Sequence, residues 1–573
     1  MYVSTFLELR CENGGKTLID SIRLIRFKKF KETRLELRPF TILTGGSNAG
    51  KTTVLQALWL ALHSLHEGRL LSVDRRTLQS KVSGTGCYLF DLPFVSREDL
   101  SGLFYNRISR NSSTYDENSG AMLELTDERG NELKLHVREL FKNINVKLLT
   151  PEEELRAPRL QARAPLYLQG GRGVKLQEER LFPAAIEARI AEDGGASSLR
   201  NRILDLKKQM PQKYRYLEQL MEKEFAFQIC DMQFDENRER YLISEYQEKG
   251  TADAVRLEFG NCGSGMLNIL QLLAAILRYC PEKSEVVLID CPDAGLDGIL
   301  SLKLMDTLRK MQEELGIQII LTSDSETVLC DADPEEVIPV IAGAKVNRPL
   351  WIKDQKSAKP VDTGLDAYEL AQAVSSRRLV LCSLERKEAE LLQKIIAKIF
   401  GAGALPAWIC AEEEQCAQIK ETISHLFEKE ISVFWIKEGT HEPETENIRT
   451  LQKGAVSELL LGTEVLRRAI SAVAGRSNGM QMEDSELQAE RERAFETEAP
   501  VLEMLCQLER EKGIRIRMRE LVRQLKAEDL PESLVDLVKA PELPVDNGNK
   551  KAEEEADRRQ HKEYEQLSLT LQE

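Results

Sequence analysis

The run Gly45-Gly-Ser-Asn-Ala-Gly50-Lys51-Thr52, entered from Pro39–Thr44 and followed by Val54, Leu55, Leu58 and Leu62, decides how the chain folds. It fits G-x-x-x-x-G-K-[ST]. In that pattern glycines let backbone N–H groups curl around phosphate oxygens, the lysine reaches the β- and γ-phosphates, and the hydroxyl ligates Mg2+. The loop works only between a strand that leads in and a helix that leads out. Pro39–Thr44 reads as the strand, and the apolar series after the loop has helical spacing. Gly45, Gly46, Ser47, Asn48, Ala49, Gly50, Lys51, Thr52 and Thr53 are therefore the expected contacts to ATP, with Thr52 on the metal.

Such a site needs a second half, an apolar strand that ends in an acid. Val286-Val-Leu-Ile-Asp290 supplies it, and Asp290 is expected to hold Mg2+ through water. A helix over 302–315, stopped by Gly316, and a strand over 317–322 follow. Upstream, residues 18–30 alternate in part as a half-buried strand does, and 121–137 read as a hairpin turning at Asp127-Glu-Arg-Gly130. Residues 197–225 read as helical, with a basic first half.

Around 354–364 the composition shifts to Lys, Ser, Pro and Asp, as in a linker. Beyond it, strands at 379–382, 407–410 and 431–436 alternate with helices at 385–400 and 412–429, which implies a small parallel sheet. From about 455 the pattern is helical and charged, and 547–573 reads as a frayed or disordered tail. The expected organisation is an N-terminal extension (1–17), a head (18–355) with a helical insertion at about 175–250, an α/β layer (366–455), a helical region (456–545) and a charged tail (546–573).

A chain of 573 residues exceeds one core, and 42% apolar with 30% charged residues suits several packed domains. No apolar run reaches the length of a membrane span, and the N-terminus lacks the pattern of a secretory signal. Eleven cysteines with no C-x-x-C fit reduced thiols in a cytoplasm. The net charge of −15 excludes a generally basic nucleic-acid-coating protein but leaves room for a local basic groove.

Asp290-Cys-Pro-Asp-Ala-Gly-Leu-Asp297 resembles the Walker B and D-loop run of ABC and SMC ATPases, usually D-E-P-x-x-x-L-D. Phe259-Gly-Asn-Cys-Gly-Ser-Gly265 resembles their signature segment, which implies that Ser264 and Gly265, at a helix N-terminus, meet the γ-phosphate bound by another protomer. Leu166-Tyr-Leu-Gln-Gly-Gly, Ser198-Leu-Arg-Asn-Arg-Ile-Leu and Ser325-Glu-Thr-Val-Leu extend the likeness. Together they make the chain similar to bacterial AAA-family ATPases related to the OLD family, which join an ABC-type head to a Toprim nuclease domain. The resemblance implies an α/β fold: a P-loop NTPase head, a Toprim-like layer and a helical C-terminal region. It also implies ATP and Mg2+ as cofactors, and a homodimer or a heterodimer with a related ATPase.

Against that pattern the catalytic positions are eroded. The Glu that activates water in relatives is Cys291 here, and loss of a positioned base slows such chemistry by about 10²–10⁴. The phosphate-sensing His is Asp324, a carboxylate that would repel phosphate unless protonated or metal-bound. Asp293 is a candidate replacement base, its aim constrained by Pro292. In the Toprim-like layer, Cys382, Ser383, Lys437 and Gly439 stand where metal-binding carboxylates belong. Glu385 and Glu438, with Glu388, are the displaced candidates should the strands end later, and a solvated helix start and a turn fit Glu385 and Glu438 better.

Arg23, Arg26, Lys28, Lys29, Lys31 and Arg34 form one basic ribbon, and Arg510, Lys512, Arg515, Arg517, Arg519, Arg523 and Lys526 another. Either suits a DNA backbone, and in so charged a chain either suits a solvated face. Met266, Leu267, Leu270, Leu273 and Leu277 read as core. Three functional readings follow in order of fit. The first is a slow nucleotide-dependent dimerisation switch in bacterial DNA maintenance or anti-phage defence, acting on DNA or an effector protein. The second is an inactive regulatory subunit of a competent paralogue. The third is an active ATPase and nuclease.

Overall fold

The computed structural model describes residues 19–350 except 67–69, 74–79, 83–85, 90–91, 110–119, 141, 152–163, 194–195, 231, 233, 236–237, 249–254 and 342. It also describes 367–530 except 369–370, 373–377, 383–385, 401–406, 411–431, 439–447, 452–454, 475–483, 498–499, 513 and 515. The N-terminal extension, the 354–364 linker, the helix expected at 412–429 and the charged tail lie outside the described residues. The described residues up to 372 form one unit and those from 378 a second.

In the first unit a five-stranded parallel sheet runs in the order Leu166–Gln169, Val286–Asp290, Gln318–Thr322, Phe40–Thr44, Val337–Pro339. Its strands are largely apolar because both faces are covered, with polar residues mostly at their ends. Alternation sorts the side chains: Phe40, Ile42, Val287, Ile289, Ile319 and Leu321 enter one core, Leu43, Leu288 and Ile320 the other. The first core is closed by the helices Leu199–Gln209, Pro211–Phe225, Ser264–Tyr279 and Gly298–Leu315.

The second core holds the helix Lys51–His66 between the parallel sheet and a seven-stranded sheet. Val54, Leu55, Leu58 and Leu62 are buried as the spacing predicts, but so are Ala57, Leu60 and Ala61. The helix is enclosed on all sides, so truncating Leu58 to Ala would cost about 2–5 kcal/mol. The strand expected over 18–30 is two strands, Ile19–Phe27 and Phe30–Glu36, reversing at Lys28-Lys29 with Phe27 paired to Phe30. The hairpin of Ala121–Asp127 and Glu132–Leu140 is as expected.

Two corrections concern the insertion. The helical run 197–225 is broken at Met210, because Pro211 has no N–H to continue a helix and starts a new one at its first position. The region also carries short strands at Phe227–Ile229, Tyr241–Leu242 and Glu245–Glu248, so it is not purely helical.

The second unit contains a four-stranded parallel sheet ordered Ala407–Cys410, Arg378–Cys382, Ser432–Glu438, Ile448–Leu451. Leu392, Ile395 and Ile396 of the helix Arg386–Phe400 are buried, with Leu391 and Ile399 at the margin. They share one core with Ile436 and with residues of five later helices between 455 and 524. The third strand extends past 436, so Lys437 and Glu438 lie within it, in register with Thr450 and Leu451, rather than after its end. Ser383, Glu385 and Gly439 lie outside the described residues.

Candidate nucleotide-binding site

The parallel strands end together, and their carboxyl ends carry the polar residues. Gln169 is in register with Asp290, Ile289 with Leu321, and Thr322 with Leu43 just before the glycine loop. Ligands bind open α/β sheets at this edge. Gly45 and Gly50 adopt φ of +138° and +113°, conformations closed to side chains. A Cβ at Gly50 would also lie 2.4 Å from the Phe30 ring. Asn48 takes φ +64°, which asparagine tolerates. Gly46, Ser47 and Asn48 are exposed at the tip, and Thr53 lies in the first turn of the helix.

Lys51 folds back over its own loop, donating to Gly45 O at 2.6 Å and Gly46 O at 3.4 Å. Thr52 Oγ1 donates to the Asp290 carboxylate, at 3.1 and 3.0 Å from its two oxygens. Two segments far apart in sequence thus present a lysine, a hydroxyl and a carboxylate at one sheet edge. The first unit has the P-loop NTPase fold.

Around the P-loop, Thr322 Oγ1 donates to Asp290 Oδ1 at 2.8 Å and accepts from Cys291 N at 2.8 Å. Cys291 holds φ +50°, a left-handed conformation unusual for a side-chain-bearing residue. Cys291 is exposed, yet partial desolvation of its thiol raises the pKa; the Thr322 hydrogen bond opposes this, and the carboxylates of Asp290, Asp293 and Asp324 add to the rise. Cys291 is therefore a neutral thiol at physiological pH and a poor base. Asp293 accepts from Ser323 Oγ at 2.6 Å, and its pKa is raised by burial, with Asp324 adding to the effect. The candidate base is thus already engaged.

Asp324 departs from the sequence expectation of a bare repulsive carboxylate: its Oδ2 lies 2.6 Å from Lys51 Nζ. Gln169, Thr322 and Ser323 were not singled out by motif reasoning. Their signal is positional, since each ends or follows a strand of the same sheet edge. Gln169 Nε2 donates to Tyr167 Oη at 3.2 Å, and burial, with Asp290, pushes that phenol up to about 12.

Ser264 is exposed at the N-terminus of the helix Ser264–Tyr279, and it makes none of the described bonds that assemble the Lys51 site. Gly265 is required by contact, because a Cβ there would lie 2.9 Å from Gly295 O. At Gly170 a Cβ would fall 1.9 Å from Cys291 O. Asn268 ties these pieces together, accepting from Gly171 N at 3.2 Å and donating to Pro292 O at 2.9 Å. Met266 is only partly buried, whereas Leu267, Leu270, Leu273 and Leu277 are core.

The donor set fits Mg2+: hydroxyl and carboxylate oxygens converge, and the ion takes its remaining ligands from phosphate and water. Among the described residues no group of three or more His, Cys, Asp or Glu side chains could hold a metal unaided. Four residues of the first basic ribbon are engaged within the chain, while Lys29, Lys31 and Arg34 are exposed. Arg23 pairs with Glu32 and Glu124, Arg26 Nε donates to Gly120 O, Lys28 Nζ to Gln56 Oε1, and Lys29 Nζ to Asn48 O. In the second cluster Arg515 lies outside the described residues and Lys526 pairs with Glu528. Among the described residues no helix is long and apolar enough to cross a membrane.

Residues 196–331 match the family model described as "AAA domain, putative AbiEii toxin, Type IV TA system". The comparison with curated proteins gives no match. Many solved structures are similar, among them three heads of SMC proteins. The Smc head domain with an extended coiled coil, bound to the C-terminal domain of ScpA and derived from Pyrococcus furiosus, is 13% identical with a TM-score of 0.35, covering 58% of this chain and 95% of that one. A SmcHead bound to the C-winged helix domain of ScpA is 14% identical with a TM-score of 0.33, covering 58% and 97%. The SMC head domain from Thermotoga maritima is 11% identical with a TM-score of 0.32, covering 58% and 100%.

Proposed function

We propose that the chain binds ATP with Mg2+ on the loop Gly45–Thr53 and uses it as a slow switch that joins two heads, as a homodimer or with a related ATPase. The reading is carried by the convergence of Lys51, Thr52 and Asp290 at one sheet edge. Lys51 binds the phosphates, and Thr52 and Asp290 hold the hydrated metal, which supplies charge neutralisation. Exposed Ser264 at a helix N-terminus suits phosphate bound on a second protomer. Slow turnover follows from a neutral thiol at the base position and from Asp293 being engaged with Ser323. A role in DNA maintenance or anti-phage defence, acting on DNA or an effector, extends the family resemblance. So does a Toprim-like layer at 366–455 retained for docking rather than cleavage.

The regulatory-subunit reading is favoured by one observation. The chain's own lysine is paired with Asp324 while Ser264 faces solvent. Calorimetry with Mg·ATP, joined to light scattering, tests the proposal. The wild type should bind, Lys51→Ala should lose at least about tenfold in affinity (~1.4 kcal/mol), and ATP should double the mass unless Ser264 is replaced by Arg. A wild type with no Mg·ATP affinity removes the proposal. Association that requires a second, related chain selects the regulatory reading.

A further inference from the structure

We infer that Asp324 is a specificity determinant of the phosphate loop: it holds Lys51 in place of phosphate, so that nucleotide enters only together with a divalent cation. The inference rests on the ATP-binding reading above and concerns which form of the nucleotide the site accepts.

An ammonium has three hydrogens to donate. Those of Lys51 face Gly45 O at 2.6 Å, Asp324 Oδ2 at 2.6 Å and Gly46 O at 3.4 Å, so the fold itself satisfies them. The exposures are unequal. The Lys51 side chain is 10% exposed and that of Asp324 52%. The carboxylate therefore covers the lysine from the solvent side, where a phosphate arrives.

Its backbone is set by short contacts. Thr322 ends a buried strand, and Ser323 Oγ donates to Asp293 while accepting from Ser325 N. What can yield is the Asp324 side chain. Once phosphate takes Lys51, the displaced carboxylate stays beside it, with Asp290 and Asp293 in the same electrostatic neighbourhood. Lys29 is the nearby cation that acts on Lys51, and its ammonium already donates to Asn48 O. Free ATP would thus meet three carboxylates against the two ammonium groups of Lys51 and Lys29, so negative charge is in excess at this edge and repels the unscreened phosphates. A divalent cation on the phosphates reverses that balance.

The test titrates a fluorescent ATP analogue into the full chain, with Mg2+ and with chelator, for the wild type, Asp324→Asn, Asp324→Ala and Lys51→Ala. Asp324 is half-exposed, and melting curves check that its variants fold. Wild-type affinity should fall by about a hundredfold when the metal is removed. Asp324→Asn should bind metal-free nucleotide at least about tenfold tighter than wild type, equivalent to ~1.4 kcal/mol, while Lys51→Ala loses affinity in both conditions. Equal metal-free affinity in wild type and Asp324→Asn overturns the role of Asp324 and leaves ATP binding standing. Absence of binding in all four proteins with Mg2+ overturns the ATP-binding reading itself, and this role with it.

Discussion

Arg200 and Glu258 lock the helix Leu199–Gln209 to the turn that precedes Ser264. Arg200 Nε and Nη2 lie 2.9 and 2.5 Å from Glu258 Oε1, and Glu258 Oε2 accepts from Gly260 N at 2.6 Å. The guanidinium is wholly buried, with Lys175 O at 2.7 Å and Glu178 Oε1 at 3.4 Å from Nη1. Such a buried charge is tolerated only when every face finds a partner. Arg200→Ala, which removes the counter-charge from buried Glu178 and from Glu258 while leaving their backbone donors, should cost about 3–5 kcal/mol in urea unfolding. Glu258→Gln keeps an acceptor for Gly260 and is partly exposed, so it should cost about 1–2 kcal/mol. An Arg200→Ala protein as stable as wild type would show that the cluster holds nothing together.

Hydrolysis should be slow and nearly indifferent to Cys291→Ser, because a neutral thiol takes no proton from water. In Cys291→Glu with Asp324→His, where a base is restored and the anion removed, single-turnover rates should rise by about 10²-fold or more. Rapid wild-type turnover abolished by Cys291→Ser would contradict this account of the site.

Lys28 gives a pH signature. Burial lowers its pKa to about 8 from the ordinary 10.5. Between those values the unfolded chain holds more protons than the folded one, so stability rises with pH through about 8 to 10.5, and the penalty is complete below 8. Relative to Lys28→Met, the wild type should gain on the order of 1–3 kcal/mol across that window. Parallel denaturation curves at pH 7.5 and 10 would show instead that the ammonium is solvated.

Plasmid DNA should not be nicked with Mg2+ or Mn2+. The strand ending later, at Glu438, places one carboxylate at its carboxyl end, but Lys437 precedes it and Cys382 ends the neighbouring strand, so among the described residues several hard carboxylates do not converge there. Metal-dependent nicking lost in Glu385→Gln or Glu438→Gln would relocate the ligands.

The head's central elements were legible because local signals agree there. The strand before Gly45, the helix from Lys51 and the apolar strand ending in Asp290 each carry pattern and punctuation. The reversal at Lys28-Lys29 was not legible, since two-residue turns are usually announced by Asn-Gly or Asp-Gly and here by two lysines. The break at Met210 was marked by Pro211, and the helical periodicity on both sides masked it. Asp324 could be flagged as foreign to the family pattern, but its partner Lys51 is remote in sequence and only the sheet order brings them together. The strand through 437 and 438 outran its apolar core because pairing with 448–451 continues where hydrophobicity stops.

The glycine contacts at the sheet edge have a consequence for how this protein can be altered. Gly170 meets the carbonyl of Cys291, and Gly265 that of Gly295, while Asn268 grips the carbonyl of Pro292. All three fastenings hold main-chain atoms and none consults the side chain at 291. The reactive groups are therefore interchangeable fittings on a fixed chassis: the thiol can be exchanged with the frame intact, whereas one methyl group at Gly170 would displace the frame itself. A protein so built can be re-armed by substitution without being refolded, and the slow turnover proposed above would then be a property of two side chains rather than of its architecture.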